Sequence, residues 1–143
     1  MTINDFVSEL KKWRLTKYKA INFAIGISAL LMYEFIGRPI YRPYIYNNKI
    51  NDFHIADTLG NTLGTLPTIF FLIAILSNDT TKGNYLIKLG TFSVVVFELA
   101  SPLLGKPIDI WDIIATILAG LVSYLIYNGI IKGKSNEQKT TNR

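Results

Sequence analysis

The sequence predicts an all-α membrane protein with four transmembrane helices, arranged as two tandem two-helix repeats with both termini in the cytoplasm. Half of the 143 residues are hydrophobic, and the mean hydropathy is +0.29. These residues form four blocks of roughly 17 to 24 residues, the length that a helix needs to cross the hydrocarbon core of a bilayer. The polar features between the blocks occur twice in the same order, which predicts the repeat.

The first block follows a polar, basic segment. Residues 1–17 carry Phe6, Leu10 and Trp13 at helical spacing, so we expect a short interfacial helix on the cytoplasmic surface. The first span is predicted over residues 18–36. No small-residue cleavage site follows Leu31, which favours an uncleaved anchor over a secretory signal.

A loop is predicted after the first span, because Gly37, Arg38 and Pro39 interrupt the apolar block. Proline fixes the backbone and removes a hydrogen-bond donor, so the sequence argues against a long helix between residues 37 and 54. The tyrosines of this stretch are expected in the lipid headgroup layer.

The other three spans are predicted over residues 57–76, 85–104 and 108–131, and residues 132–143 are expected to be disordered. Two of the spans carry small residues four positions apart, which let another helix come close. These residues are Ala56, Gly60 and Gly64 in the second span and Ala115, Ala119 and Ser123 in the fourth.

The distribution of Lys and Arg predicts the orientation. Eleven of these residues flank the cytoplasmic ends in the four-span arrangement, and four lie in the two opposite loops. The excess predicts that both termini are cytoplasmic and that the acidic stretches face outward.

The repeated pattern also predicts a binding site. Each half has a Glu near the end of a span, a Gly-Lys-Pro or Gly-Arg-Pro break, and two aspartates before the next span, and six of the ten acids lie in these two stretches. Asp57 and Asp112 would begin helices, where simple N-capping explains an aspartate well. Glu34 and Glu98 would lie near helix C-termini inside the membrane, where a carboxylate needs a partner or a function.

Basic residues near each Glu are candidate partners. Arg38 and Arg42 would pair with Glu34 and Lys106 with Glu98, either as a structural ion pair between the halves or as part of a site for a substrate, ion or proton. The predicted ligand-binding residues are Glu34, Arg38, Arg42, Asp52, Asp57, Asn61, Glu98, Lys106, Asp109 and Asp112.

Several classes of site have little support. The chain has no cysteine and one histidine, His54, which removes thiol chemistry and multi-histidine metal centres. A metal at His54, or Mg²⁺ at Asp109 and Asp112, is a weak alternative. No catalytic residue, metal ligand or cofactor is therefore assigned, the protein is more consistent with a binding role than with an enzyme, and the charge pattern does not indicate nucleic acid.

The order of polar residues in the second half resembles the VanZ-like family of small bacterial membrane proteins. That family tends to show ExxQ, a basic residue, paired aspartates and DxxxNxxGxxxG. Glu98, Asp109 and Asp112 match this pattern, while Ser101, Lys106, Thr116, Ala119 and Ser123 replace its Gln, Arg, Asn and two Gly. The first half reads DxxxNxxGxxP from Asp57 to Pro67, and the resemblance covers about residues 20–128.

The resemblance implies a location in the bacterial cytoplasmic membrane and an association with the cell envelope and with glycopeptide resistance, notably to teicoplanin. We therefore expect a protein that binds or handles an envelope amphiphile, such as a lipid-linked precursor, a lipopeptide or a glycopeptide antibiotic, with membrane lipid or such a ligand as its partner. An accessory subunit held to another membrane protein is the alternative, and a metal-assisted lipid-phosphate hydrolase is a third.

Overall fold

The computed structural model describes residues 14–132, and within this range every regular element is a helix. This agrees with the predicted all-α class. Most of the predicted interfacial segment and of the predicted disordered tail, at residues 1–13 and 133–143, lies outside the described residues.

The helices follow one another with short connections. Helix α1 spans Lys17–Met32 and continues through a π-helical segment, Tyr33–Tyr41, into α2, Arg42–Asn47. Helix α3 spans Ile55–Leu76 and α4 spans Gly83–Leu99, which a 3₁₀ turn at Ser101–Leu104 follows. Helix α5 spans Ile110–Ile126 and ends in a second π-helical segment, Tyr127–Lys132.

Three of these helical stretches are long and apolar enough to cross a membrane. They are Lys17–Asn47 with 31 residues, Ile55–Leu76 with 22 and Ile110–Ile131 with 22. Helix α4 is shorter, with 17 residues.

The prediction of a loop after Gly37 is wrong, because the helix continues through Pro39 to Asn47. The backbone N–H of Arg42 bonds to the carbonyl of Gly37, five residues earlier. Pro39 has no N–H to donate, and in an α-helix its ring would clash with the carbonyl four residues before it. The wider π turn accommodates the proline.

Helix α3 is the centre of the bundle. Its most extensive packing is with α1, and it also packs on α5 and α4, which pack on each other. The buried residues of the first helix, among them Gly26, Ala29, Gly37 and Ile45, recur at helical spacing and form its contact face. Ala115, Ala119 and Ser123 are buried on α5, as their spacing predicts.

The apolar core lies toward the end of the bundle where α1 begins and α5 ends. Ile69, Phe70 and Ile73 of α3 pack there with Leu86, Ile87, Tyr127 and Ile131. The buried Tyr127 hydroxyl lies 2.8 Å from that of Tyr18 and donates to the carbonyl of Thr80 at 3.1 Å. The first helix and the last are thus fastened together at this end, and the acids gather at the other.

Candidate functional site

The acidic end of the bundle is the end at which α3 and α5 begin and α4 ends. Asp52 accepts a hydrogen bond from the backbone N–H of Ala56 at 2.7 Å, and Asp109 accepts one from Trp111 at 2.8 Å. These two aspartates therefore cap the helices. Asp57 and Asp112, which the sequence suggested as N-caps, lie in the first turns of α3 and α5 because both helices begin before them.

Tyrosines from the extended first helix bond to the first pair of aspartates. The Tyr41 hydroxyl donates to Asp52 at 3.2 Å, and the Tyr46 hydroxyl donates to Asp57. The sequence analysis assigned these tyrosines only to the headgroup layer. The spacing of these tyrosines from Gly37 and Ile45 could have predicted these contacts, but only if the helix was expected to continue past Pro39.

His54 joins the starts of α3 and α5. Its ring stacks on Trp111 with the ring centroids 5.1 Å apart, and its Nδ1 lies 3.2 Å from a carboxylate oxygen of Asp57. Asp57 of α3 also accepts the hydrogen bond from Tyr46 of α2, and through His54 it is linked to Trp111 of α5. This arrangement fixes the two helix starts relative to each other.

Glu34 is paired along its own helix, as one of the predicted alternatives proposed. A guanidinium nitrogen of Arg38 lies 3.6 Å from its carboxylate, and both side chains are exposed. Arg42 instead lies over the Tyr46 ring at 5.9 Å, and its charge acts on Asp57. The buried Nε of Arg42 has no hydrogen-bond partner.

A groove of about 400 Å³ opens between α3 and α4 near the acidic end. Gly64 leaves it open, since a Cβ at that position would meet no atom within 4 Å. Its wall contains residues of both helices: Gly60, Asn61, Gly64, Thr65 and Thr68 of α3 and Ser93, Val94, Phe97 and Glu98 of α4. Helices α1 and α3 belong to the first predicted repeat and α4 and α5 to the second, so this groove lies between the two.

Glu98 and Asn61 both lie at the acidic end of this groove. Within the described residues Glu98 has no ion-pair partner, so the predicted pairing with Lys106 is not formed, although the charges of Asp112 and Lys106 act on it. The buried Nδ2 of Asn61 has no hydrogen-bond partner. The groove thus presents a carboxylate without an ion-pair partner and an amide group that forms no hydrogen bond but lies near the Asp112 carboxylate.

The hydroxyl groups of the groove add acceptors rather than donors. Thr65, Thr68 and Ser93 each donate to the carbonyl four residues earlier in their own helix, at 2.6, 2.9 and 2.8 Å. Each hydroxyl oxygen keeps the capacity to accept a hydrogen bond. A group bound here would therefore meet mainly acceptors.

Thr116 lies one turn beyond Asp112 on α5 and is fully buried, and its hydroxyl has no partner. It occupies the position that matches Asn61 in the predicted repeat. Both repeats therefore carry an unsatisfied polar group on the turn after an aspartate.

The ten predicted ligand-binding residues do not form one site. Glu98 and Asn61 share the groove, and Asp112 lies within electrostatic range of Glu98. Asp52, Asp57 and Asp109 are engaged in bonds that fix the helix starts. Glu34 and Arg38 pair on the first helix, which packs on α3 rather than on α4. Across residues 14–132 no three His, Asp or Glu side chains come together as possible metal ligands.

Comparisons with known proteins add no relative: no family model, no curated protein and no solved structure matches this chain.

Proposed function

We propose that the chain is a VanZ-like integral protein of the bacterial cytoplasmic membrane that binds an envelope amphiphile in the groove between α3 and α4. In this proposal four helices cross the membrane, both termini are cytoplasmic, and the acidic end is extracytoplasmic. Three membrane-length helices and the clustering of basic residues toward the opposite end support this placement.

In this proposal helix α4 also crosses the membrane, as the third span along the chain, although it is shorter than the other three. Its 17 residues extend about 25 Å, and the 3₁₀ turn at Ser101–Leu104 adds length at the acidic end. It runs antiparallel to α5, with Asn84 and Asn128 exchanging amide hydrogen bonds of 3.3 and 3.1 Å near the opposite end. This antiparallel packing against a membrane-length neighbour supports the proposal that α4 also crosses the bilayer.

The observation that carries the ligand proposal is that Glu98, which has no ion-pair partner within the described residues, and Asn61 line the same largely apolar groove. A carboxylate without a cationic partner is costly within a membrane. A bound ammonium or other donor-rich headgroup would supply the missing partner, while its hydrocarbon chain would occupy the apolar wall near Val94 and Phe97. The best candidate is an amphiphile whose polar part carries an amine.

The test uses teicoplanin, which has an acyl chain, and vancomycin, which lacks one. Purified protein in nanodiscs is expected to bind teicoplanin more tightly than vancomycin, and Glu98→Gln is expected to weaken teicoplanin binding at least about tenfold, as for loss of a charged hydrogen bond. Expression of the wild-type chain, but not of Glu98→Gln, should raise the teicoplanin concentration that inhibits growth.

Glu34→Gln is the matched control, because Glu34 has the corresponding place in the first repeat but lies exposed beside Arg38. This variant should bind like the wild type. Equal loss in both variants, or full binding by Glu98→Gln that still inserts into membranes, would contradict the proposal.

A second candidate, an accessory subunit of a membrane complex, is favoured by apolar side chains exposed at the acidic end. Phe53 is 78% exposed, Leu103 88% and Leu104 66%. A stoichiometric protein partner that remains through purification in mild detergent, and that is lost in Phe53→Ser with Leu103→Ser, would support the subunit. A monomer carrying amphiphile would support the binder.

A further inference from the structure

A second groove lies between α4 and α5, away from Glu98. It has a volume of about 450 Å³ and is lined by Ile87, Lys88, Thr91, Phe92, Val95, Ile117, Gly120, Leu121 and Tyr124. The helices are close here because Gly120 has no side chain, and a Cβ at that position would overlap the side chain of Thr91. The groove follows the antiparallel pair from Lys88 and Tyr124 at one end to Val95 and Ile117 at the other.

Between Lys88 and Tyr124 at one end and Val95 and Ile117 at the other, the wall of this groove is apolar except for Thr91. The Thr91 hydroxyl already donates to the carbonyl of Ile87 at 2.8 Å. Seven positions in α4 separate Lys88 from Val95, a distance of about 10 Å along the helix, which suits a stretch of hydrocarbon chain. The apolar section therefore fits an acyl chain lying along the helices.

Charge is confined to one end of the groove. Lys88 is exposed and has no ion-pair partner within the described residues. Tyr124, 41% exposed, lies across from it on α5. An ammonium group at the end of an apolar groove, beside an aromatic hydroxyl, is complementary to a phosphate group attached to an acyl chain.

We infer that this groove binds an anionic phospholipid, with one acyl chain along α4 and α5 and the phosphate at Lys88. The inference rests on the proposed placement of α4 in the membrane, which puts Lys88 at the cytoplasmic leaflet. It requires neither Glu98 nor the amphiphile of the other groove.

The test measures thermal stabilisation of the purified full chain in detergent by dioctanoyl phosphatidylglycerol and by dioctanoyl phosphatidylcholine. The wild type should bind phosphatidylglycerol about fivefold more tightly, the effect of one lysine near an anionic headgroup. Lys88→Gln should bind the two lipids equally. Lys49→Gln, which removes an exposed lysine near the acidic end, should keep the preference.

Val95→Trp should weaken the binding of both lipids, because the indole fills the groove, and glycerol phosphate without chains should give no stabilisation. A preference that survives Lys88→Gln, equal binding by the wild type, or stabilisation by glycerol phosphate alone would overturn the inference. Teicoplanin binding by Lys88→Gln should match the wild type, so failure here is distinguishable from failure of the proposed function.

Discussion

Glu34 and Glu98 show how two residues with the same place in a repeated pattern acquire different surroundings. Tyr33, next to Glu34, lies against Gly60, and Glu98 lines the groove with Asn61, so both acids lie at the same level of α3. Glu34 has Arg38 one turn away, whereas Glu98 has no ion-pair partner within residues 14–132. An unpaired carboxylate facing a groove is the stronger candidate for binding.

Two buried threonines provide a test of unsatisfied polar groups. Thr116 and Thr65 are 0% and 1% exposed, but only the Thr65 hydroxyl has a partner, the carbonyl of Asn61. Thr116→Val should raise the free energy of unfolding by about 1 kcal/mol, because it removes a buried group without a hydrogen bond. Thr65→Val should lower it by a similar amount.

Denaturant titration of the variants in mixed micelles measures both changes. If Thr116→Val is as destabilising as Thr65→Val, then Thr116 has a partner in the folded protein, such as water or a ligand, and the description of its surroundings is wrong.

The sequence identified the acidic residues of this end but not which of them cap helices. Whether an aspartate caps a helix depends on where the helix begins to within one residue, and α3 and α5 begin at Ile55 and Ile110, before Asp57 and Asp112. Local pattern fixes such boundaries poorly. The partner Tyr46 comes from the packing of another helix, which the pattern does not contain, whereas His54 is a local neighbour three residues before Asp57.

Among the elements, the π-helical segment Tyr33–Tyr41 explains the largest difference between the predicted and the observed fold. Pro39 was interpreted as the end of a helix, but a π turn lets the chain continue to Asn47. The extra residue in that turn also sets which residues of α2 face α3. The small-residue face of α5 was predictable because it depends only on helical spacing, as in Ala119 and Ser123, whereas on α3 no helix packs closely against Gly64, which is exposed.

Pro39→Ala is expected to change this register. With an N–H restored at position 39, regular α-helical bonds become available, and loss of the π turn rotates α2 by about 100°, the angle of one residue. The Tyr46 hydroxyl would then no longer reach Asp57. Tyr46→Phe should therefore cost about 1 kcal/mol of unfolding free energy in the wild type and almost nothing in Pro39→Ala.

Tyr44→Phe is the control for this cycle, because the Tyr44 hydroxyl has no bond within the described residues and the side chain is 58% exposed. It should have little effect in either background. An equal cost of Tyr46→Phe in both backgrounds would show that the π segment does not position Tyr46.

Two helical glycines should respond oppositely to the same substitution. Gly120→Ala should lower the free energy of unfolding by about 1 to 3 kcal/mol, because its methyl group would displace Thr91 and separate α4 from α5. Gly64→Ala should be neutral or stabilising by up to about 1 kcal/mol. No atom lies within 4 Å of the added Cβ, and alanine favours a helix more than glycine does. Thermal unfolding in one detergent measures both, and equal effects would contradict the described packing.

At the scale of the whole molecule, the two ends of the helix bundle differ in the residues that they contain. The apolar core and the Tyr18–Tyr127 contact tie the helices together at the end that carries Lys17 and Lys132. The opposite end holds the aspartate bonds and the open groove. Both ends are therefore held by contacts between helices, and in the proposed function the ligand enters the groove at the acidic end.

The number and direction of the spans can be tested because the chain has no cysteine, so each added cysteine is unique. We expect Ile50→Cys and Leu103→Cys, in the two connections at the acidic end, to react with a membrane-impermeant maleimide in intact cells. Asn78→Cys, in the connection between α3 and α4, should react only after the membrane is opened. All three positions are exposed at the protein surface, so burial within the protein does not explain a difference between them. If Leu103→Cys behaves like Asn78→Cys while Ile50→Cys is labelled, then α4 does not cross the membrane, and the placement of Glu98 near the outer surface is wrong.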